Sequence, residues 1–421
     1  MKYISRIITF GFIVVLSGAF PKSYAQTHNT GASLTEIANL VGISEWHAAG
    51  VYGQGVKIGI LDVGFADIDS TGIPYIAPEE QNDFILNNAP TNHGTLVVET
   101  IHYLAPQAEL YIYQLQPDER NIINGVDWLI TQDVDVVNFS AITLNIPMDG
   151  TNFLAQQMGR LVDFTDTVVV SAAGNFGYSF LQDTFRDTNN DGWHEFNTGT
   201  PYIEATALLT TPYSQTNLRW QDDYTSATID LDLYIFGANG ELIDAGIEVQ
   251  QGGEADWSHE DVLHPTVATT PIYIAIKAKS IGQVPSETRF YLFANDKRLN
   301  RWSETGSIAA PADSPKVLAV GGLDTEIEIW LRSGRGPTWD GRIKPDLVAP
   351  VRVELSNTLF MGTSASTTIV TASVAILRSA LTDLTEAQIR AWFQNNAIDL
   401  GQTGADNIYG YGRLYMPPPA R

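Results

Sequence analysis

The chain has 421 residues, 44% of them hydrophobic, and carries a formal charge of −24 with no cysteine. That composition can bury a large core spread over more than one domain. The charge argues against nucleic acid as a partner, because phosphate binding draws on Lys and Arg, and fits a solvated acidic surface with some carboxylates available to calcium, while the lack of cysteine excludes disulfide staples.

The amino-terminal stretch MKYISRIITFGFIVVLSGAFPKSYAQ opens with Lys2 and Arg6, continues into the apolar run Ile7 to Val15, and reaches small residues, Ser23 and Ala25, at a cleavage point. This predicts a signal peptide over residues 1–25 and export, either secreted or periplasmic. The run is well short of the ~20 residues a membrane span needs, so no span is expected in the mature chain.

From Val56 onward short apolar runs alternate with helical stretches. Strands are predicted at Val56–Asp62, Glu109–Leu115, Asp135–Phe139, Thr167–Ala172 and Lys316–Gly321, and helices at Gly94–Tyr103 and Ile122–Gln132. The alternation predicts an α/β fold with a doubly wound, mostly parallel sheet, whose site forms at the carboxyl ends of strands. Asp62, Ser140 and Asn175 fall at such ends.

After Asn175 the helical period fades. The runs IEATALLTT, SATIDLDLYIF, PIYIAIKAKS and RFYLFAND, separated by Gly, Asn and Asp, predict an all-β sandwich inserted at residues 179–305. The α/β domain is then split into a first part, 26–178, and a second part, 306–421.

Three Gly-flanked loops hold side chains suited to nucleophilic catalysis. Asp62 closes the apolar strand within VKIGILDVGF, His93 lies in NHGT, and Ser364 opens the helical run of GTSASTTIVTASVAIL. Singly, each has a plain structural reading: a strand-end turn, one of 7 histidines, a helix cap. Together, an Asp, a His and a Ser in this chain order resemble the subtilisin-like serine peptidases. AAGN ending at Asn175, LAPQAELYIYQL, VDVVNFS and SGRGPTWDGRIKPDLVAP resemble further landmarks of that family. Ser364 lacks a GxSxG elbow and follows the Asp and the His, which argues against an α/β-hydrolase.

The resemblance implies a serine endopeptidase acting on polypeptide substrates through an acyl-enzyme. Ser364 would be the nucleophile, His93 its base and Asp62 the residue that orients the imidazole. Asn175 and the Ser364 N–H would be the oxyanion donors. Ser140, Ala141 and Ile142 would form one wall of the primary specificity pocket, and Ala172, Ala173 and Gly174 the other. The chain departs from the pattern at Thr367-Thr368-Ile369, where Ala-Pro-His is common, and at Ile142, which replaces a wall glycine and is expected to narrow the cleft. The segment from Gln26 to about Tyr52 is too short for the family's folding prodomain.

In DTNNDGWHEF, Asp187, Asn189 and Asp191 precede Gly192 at the spacing of the first half of a calcium loop, but Thr198 stands where a bidentate Glu belongs. Structural calcium and a plain Asx-rich turn are both open there. Asp230 and Asp232 suit calcium or the polar face of a strand. No HExxH motif is present, so no catalytic metal is expected. Two other functions stand beside the peptidase: a weakly active or inactive protein of this fold serving as a binding or scaffold module, and carbohydrate adhesion through Trp193, Trp220 and Trp257.

Overall fold

The computed structural model describes residues 20–21, 31–81, 86, 89, 91–144, 146–208, 213–254, 256–265, 271–279, 284–356 and 358–419. Most of the expected signal peptide lies outside the described residues. The chain divides into two compact units, one of Met1–Thr143, Met148–Asn175 and Ile308–Arg421, the other of Leu144–Pro147 and Phe176–Ser307.

The first unit is built on strands β1 (Lys57–Asp62), β2 (Glu109–Gln114), β3 (Val136–Phe139) and β4 (Val168–Ala172). Near-continuous runs such as VVVSA, buried along their whole length, are what a sheet covered on both faces requires. The helices between them are α1 (His93–Leu104), α2 (Glu119–Gln132) and α3 (Phe153–Thr165). Asp118 caps α2 by accepting the Asn121 N–H, and Asn152 caps α3 by accepting that of Ala155.

Among its described residues the second unit holds nine strands: β5 (Phe180–Thr184), β6 (Ile203–Ala207), β7 (Tyr213–Trp220), β8 (Leu231–Phe236), β9 (Leu242–Gly246), β10 (His259–Pro265), β11 (Ile272–Ala278), β12 (Arg289–Ala294) and β13 (Lys297–Leu299). They form two antiparallel sheets, ordered β9-β8-β11-β6-β13 and β10-β7-β12-β5. Leu233, Ile235, Ile274 and Ile276 of the first sheet share one apolar core with Leu218, Phe290 and Leu292 of the second, which makes the unit an all-β sandwich. Trp220, a candidate sugar-binding ring whose plainer reading is a core residue, belongs to this core: it is 1% exposed and its indole N–H donates to Ile229 O.

The first unit resumes with β14 (Leu318–Leu323), β15 (Leu347–Pro350), β16 (Arg352–Glu354), β17 (Thr358–Met361) and helix α4 (Thr363–Ala380). The main sheet runs β15-β14-β4-β3-β1-β2 and is parallel throughout. Side-chain alternation along β1 shows helices on both faces. Ile58 and Ile60 join a core with Val97 of α1 and Val370 of α4, while a Cβ on Gly59 would meet Leu129 of α2 at 2.9 Å. The run Thr363 to Leu377 of α4 is buried on every side, and α4 packs on α1, so the two helices that carry Ser364 and His93 are neighbours. Among the described residues no helix is long and apolar enough to cross a membrane.

Candidate active site

Asp62 is the last residue of β1 and His93 the first of α1. Asp62 Oδ1 accepts His93 Nδ1–H at 2.7 Å and the Val63 N–H at 2.8 Å. Both side chains are buried. With Nδ1 held by a carboxylate, a neutral imidazole presents Nε2 as its lone-pair acceptor, and among the described residues Nε2 has no hydrogen-bond partner. The ring sits edge-on to Phe360 of β17, with centroids 5.6 Å apart. Two glycines let the Asp and His loops approach: Gly94 N–H donates to Gly64 O, and Gly64 lies so close to Thr91 that a Cβ would stand 2.4 Å from the Thr91 carbonyl oxygen.

Ser364 is the second residue of α4, reached through Gly362, whose φ of 120° favours glycine. Its Oγ lies 3.5 Å from Ser140 O, just past the end of β3. Asn175, three residues beyond β4, is buried and accepts the Thr363 N–H and the Thr363 hydroxyl on Oδ1, each at 2.9 Å. Its acceptor oxygen is thereby used, and Nδ2 is the end free to donate. At the start of α4 the Ala365 and Ser366 N–H groups donate to Gly362 O, which leaves the Ser364 N–H as an amide able to face developing negative charge.

Both expected pocket walls belong to this unit. Ser140 Oγ accepts Asn138 Nδ2–H at 2.8 Å, and Asn138 Oδ1 accepts the Thr371 hydroxyl, tying the wall to α4. Ala173 O accepts the Ala309 N–H and Gly174 O the Gly334 N–H. Asn138 and Thr371 lie in the VDVVNFS and GTSASTTIVTASVAIL segments without a role of their own assigned from sequence, and Phe360 and the Ala309–Ala310 segment were not singled out. The departures at Thr367 and Thr368 are accommodated: their hydroxyls donate to Thr363 O and Ser364 O one turn back.

In the sandwich unit the Asp187, Asn189 and Asp191 loop closes on itself. Asp187 accepts the Asp191 and Gly192 N–H groups, Asn189 Oδ1 accepts the Asp191 N–H, and Asp191 accepts the Trp193 N–H and Asn189 Nδ2–H. Oxygens turned to the loop's own N–H groups describe an Asx-rich turn, and each carboxylate oxygen keeps a second lone pair beyond these bonds. Among the described residues no group of three or more His, Asp or Glu side chains is arranged to hold a metal ion.

Residues 53–271 and 286–412 match the Subtilase family. Over 174 residues, 37% of this chain and 42% of the relative, the sequence is 31% identical to subtilisin E of Bacillus subtilis. Over 55 residues, 13% of this chain and 6% of the relative, it is 47% identical to serotype-specific antigen 1 of Mannheimia haemolytica. The match therefore spans less than half the length of these curated relatives. Among solved structures, the CspB protease of Clostridium perfringens aligns over 90% of this chain and 97% of its own, with a TM-score of 0.61 and 16% identity, a likeness of fold. The match to most of its length, on a parallel α/β sheet that brings Asp62 to His93 and Asn175 to the start of the Ser364 helix, shows that the chain belongs to the subtilase family.

Proposed function

We propose that this chain is a serine endopeptidase, exported to the periplasm or the medium, that hydrolyses polypeptides through an acyl-enzyme on Ser364. The observation that carries the reading is the 2.7 Å bond from His93 Nδ1 to Asp62 Oδ1, which leaves Nε2 to act as the base. Nε2 takes the Ser364 proton as Oγ attacks the scissile carbonyl, then gives it to the leaving amine; Asp62 stabilises the imidazolium between these steps. Asn175 Nδ2–H and the Ser364 N–H donate to the tetrahedral oxyanion, which is stronger in the transition state than in the substrate and so lowers the barrier. Water then enters by the same path and releases the acyl group. The reading uses no metal, and it takes residues 26–178 and 306–421 as the catalytic domain around an inserted sandwich.

The test is covalent labelling by a fluorophosphonate, read by intact mass, of the purified mature protein and of Ser364→Ala. An adduct on the wild type alone supports an activated serine. Folded wild-type protein that takes no label would overturn the peptidase and leave a binding or scaffold role for the fold.

A further inference from the structure

We infer that Ile142 closes the primary specificity pocket beside Ser364, so that the residue on the acyl side of the cleaved bond is limited to Gly, Ala or Ser. This rests on the peptidase reading and names its substrate class.

Ser364 Oγ lies 3.5 Å from Ser140 O, so the chain leaving Ser140 runs beside the nucleophile. The chain arriving at Asn175 flanks the oxyanion side. One segment joins the two walls: Thr143 N–H donates to Ala310 O at 3.2 Å, and Ala309 N–H donates to Ala173 O at 3.0 Å. Residues 140–143, 309–310 and 172–174 thus lie side by side, and on the peptidase reading they border the space that a side chain next to the scissile carbonyl must enter.

A pocket sized for Leu or Phe admits water when empty, and its walls then keep exposed area. Here Ala141 is 2% exposed, Ile142 3%, and Thr143, Ala173, Ala309 and Ala310 0%. Alanine is too short to shut such a space. Ile142 brings the largest side chain of the set, and its β-branch holds χ1 in few rotamers, so it does not swing aside readily. Forcing a larger acyl-side residue in would overpack a filled site.

The experiment uses the full mature chain and peptide p-nitroanilides identical except for Gly, Ala, Leu or Phe before the cleaved bond, with active enzyme counted by fluorophosphonate titration. Wild type is expected to favour Ala over Phe in kcat/KM by at least ~100-fold. Ile142→Gly should raise the Phe-to-Ala ratio at least ~10-fold, with Ile142→Ala between them. Wild type that cleaves after Leu or Phe as readily as after Ala overturns the inference, as does an unchanged ratio in both folded variants. The wild-type series alone decides if the variants do not fold. Absence of fluorophosphonate labelling sinks the peptidase reading and this inference with it, whereas labelling without the size preference sinks this inference alone.

Discussion

Asn175 Oδ1 accepts two donors from Thr363, the backbone N–H and the hydroxyl, each at 2.9 Å. An amide oxygen held twice cannot rotate into the place of its nitrogen, so Thr363 fixes which end of the Asn175 amide is left to donate, the end that the proposed mechanism uses. Asn175→Ala is expected to lower kcat by ~10²–10³ with little change in KM, a range known for the corresponding donor of subtilisin and carried over from it. Thr363→Val keeps the N–H bond and loses the hydroxyl bond, and should lower kcat roughly five- to tenfold, the equivalent of one hydrogen bond. Steady-state kinetics on a peptide substrate separates the two; an unchanged kcat in Asn175→Ala would remove the amide from the oxyanion role.

The parallel sheet was legible because its strands are buried on both faces and read as Val- and Ile-rich runs. Their ends were less so: the expected Lys316 start gives way to Leu318, because Val317 N–H donates back to Ser314 O and prolongs the turn. In the sandwich, β8, β11 and β12 carried clear apolar signals, whereas β7 and β10 did not. YSQTNLRW buries Thr216, Asn217 and Arg219, and HEDVLHP buries Glu260 and His264, so polar residues sit where alternation predicts apolar ones. At the site, the residues with family motifs were readable one by one. Their supports were not, since Phe360 against His93 and Ala309 against Ala173 are contacts made only by folding. The Asp187 loop shows the converse: one spacing serves an ion cage or an Asx turn.

Gly64 is a position where one methyl group should damage catalysis. A Cβ there would stand 2.3 Å from Thr91 Oγ1 and 2.4 Å from Thr91 O, and the carbonyl oxygen is backbone that no rotamer change moves away. Thr91 precedes His93 by two residues and Gly64 follows Asp62 by two, so relief of the clash separates the acid from the imidazole. Gly64→Ala is expected to cost ~1–3 kcal/mol in stability and to lower kcat more than it raises KM. Denaturant unfolding and kinetics on the same preparation check this; wild-type kcat in the variant would mean that the loops have slack.

Stability should depend on pH from both sides. Burial pushes His194, set against Phe196 and Phe290, down to about 4, and burial with Lys297 nearby does the same for His264. In the unfolded chain each titrates near ~6.5, so between ~6.5 and ~4 the unfolded state holds more protons, and stability falls as pH falls through that window. Glu260 has the opposite sign: burial raises it to about 8, the folded carboxyl keeps a proton that the unfolded chain has released, and stability falls as pH rises from ~4.5 to ~8. His259, pushed down to about 4 by burial, adds to the acid side, and Asp313, raised to about 7 by burial, joins Glu260 on the alkaline side, so the melting temperature should peak near pH ~6.5. Calorimetry across that range checks the shape. Glu260→Gln should flatten the alkaline limb, and a limb that stays as steep would count against Glu260 as its source.

The Lys-Pro-Asp of the long SGRGPTWDGRIKPDLVAP motif holds two strands of the main sheet together. Lys344 Nζ donates to Val317 O and to Asp346 Oδ2, each at 2.6 Å, and Asp346 Oδ2 also accepts the Ala319 N–H of β14 at 2.7 Å. Lys344 is only 3% exposed, and burial holds its ammonium below the usual lysine range. Removing one partner of a buried pair leaves the other charge without compensation, so Lys344→Met should cost ~3–5 kcal/mol, while Lys344→Met with Asp346→Leu, which removes both charges, should recover part of that loss. Urea midpoints at unchanged m-value give both numbers. A double variant no more stable than the single one would show that the lost bonds to Val317 O and Ala319 N–H matter more than the uncompensated charge.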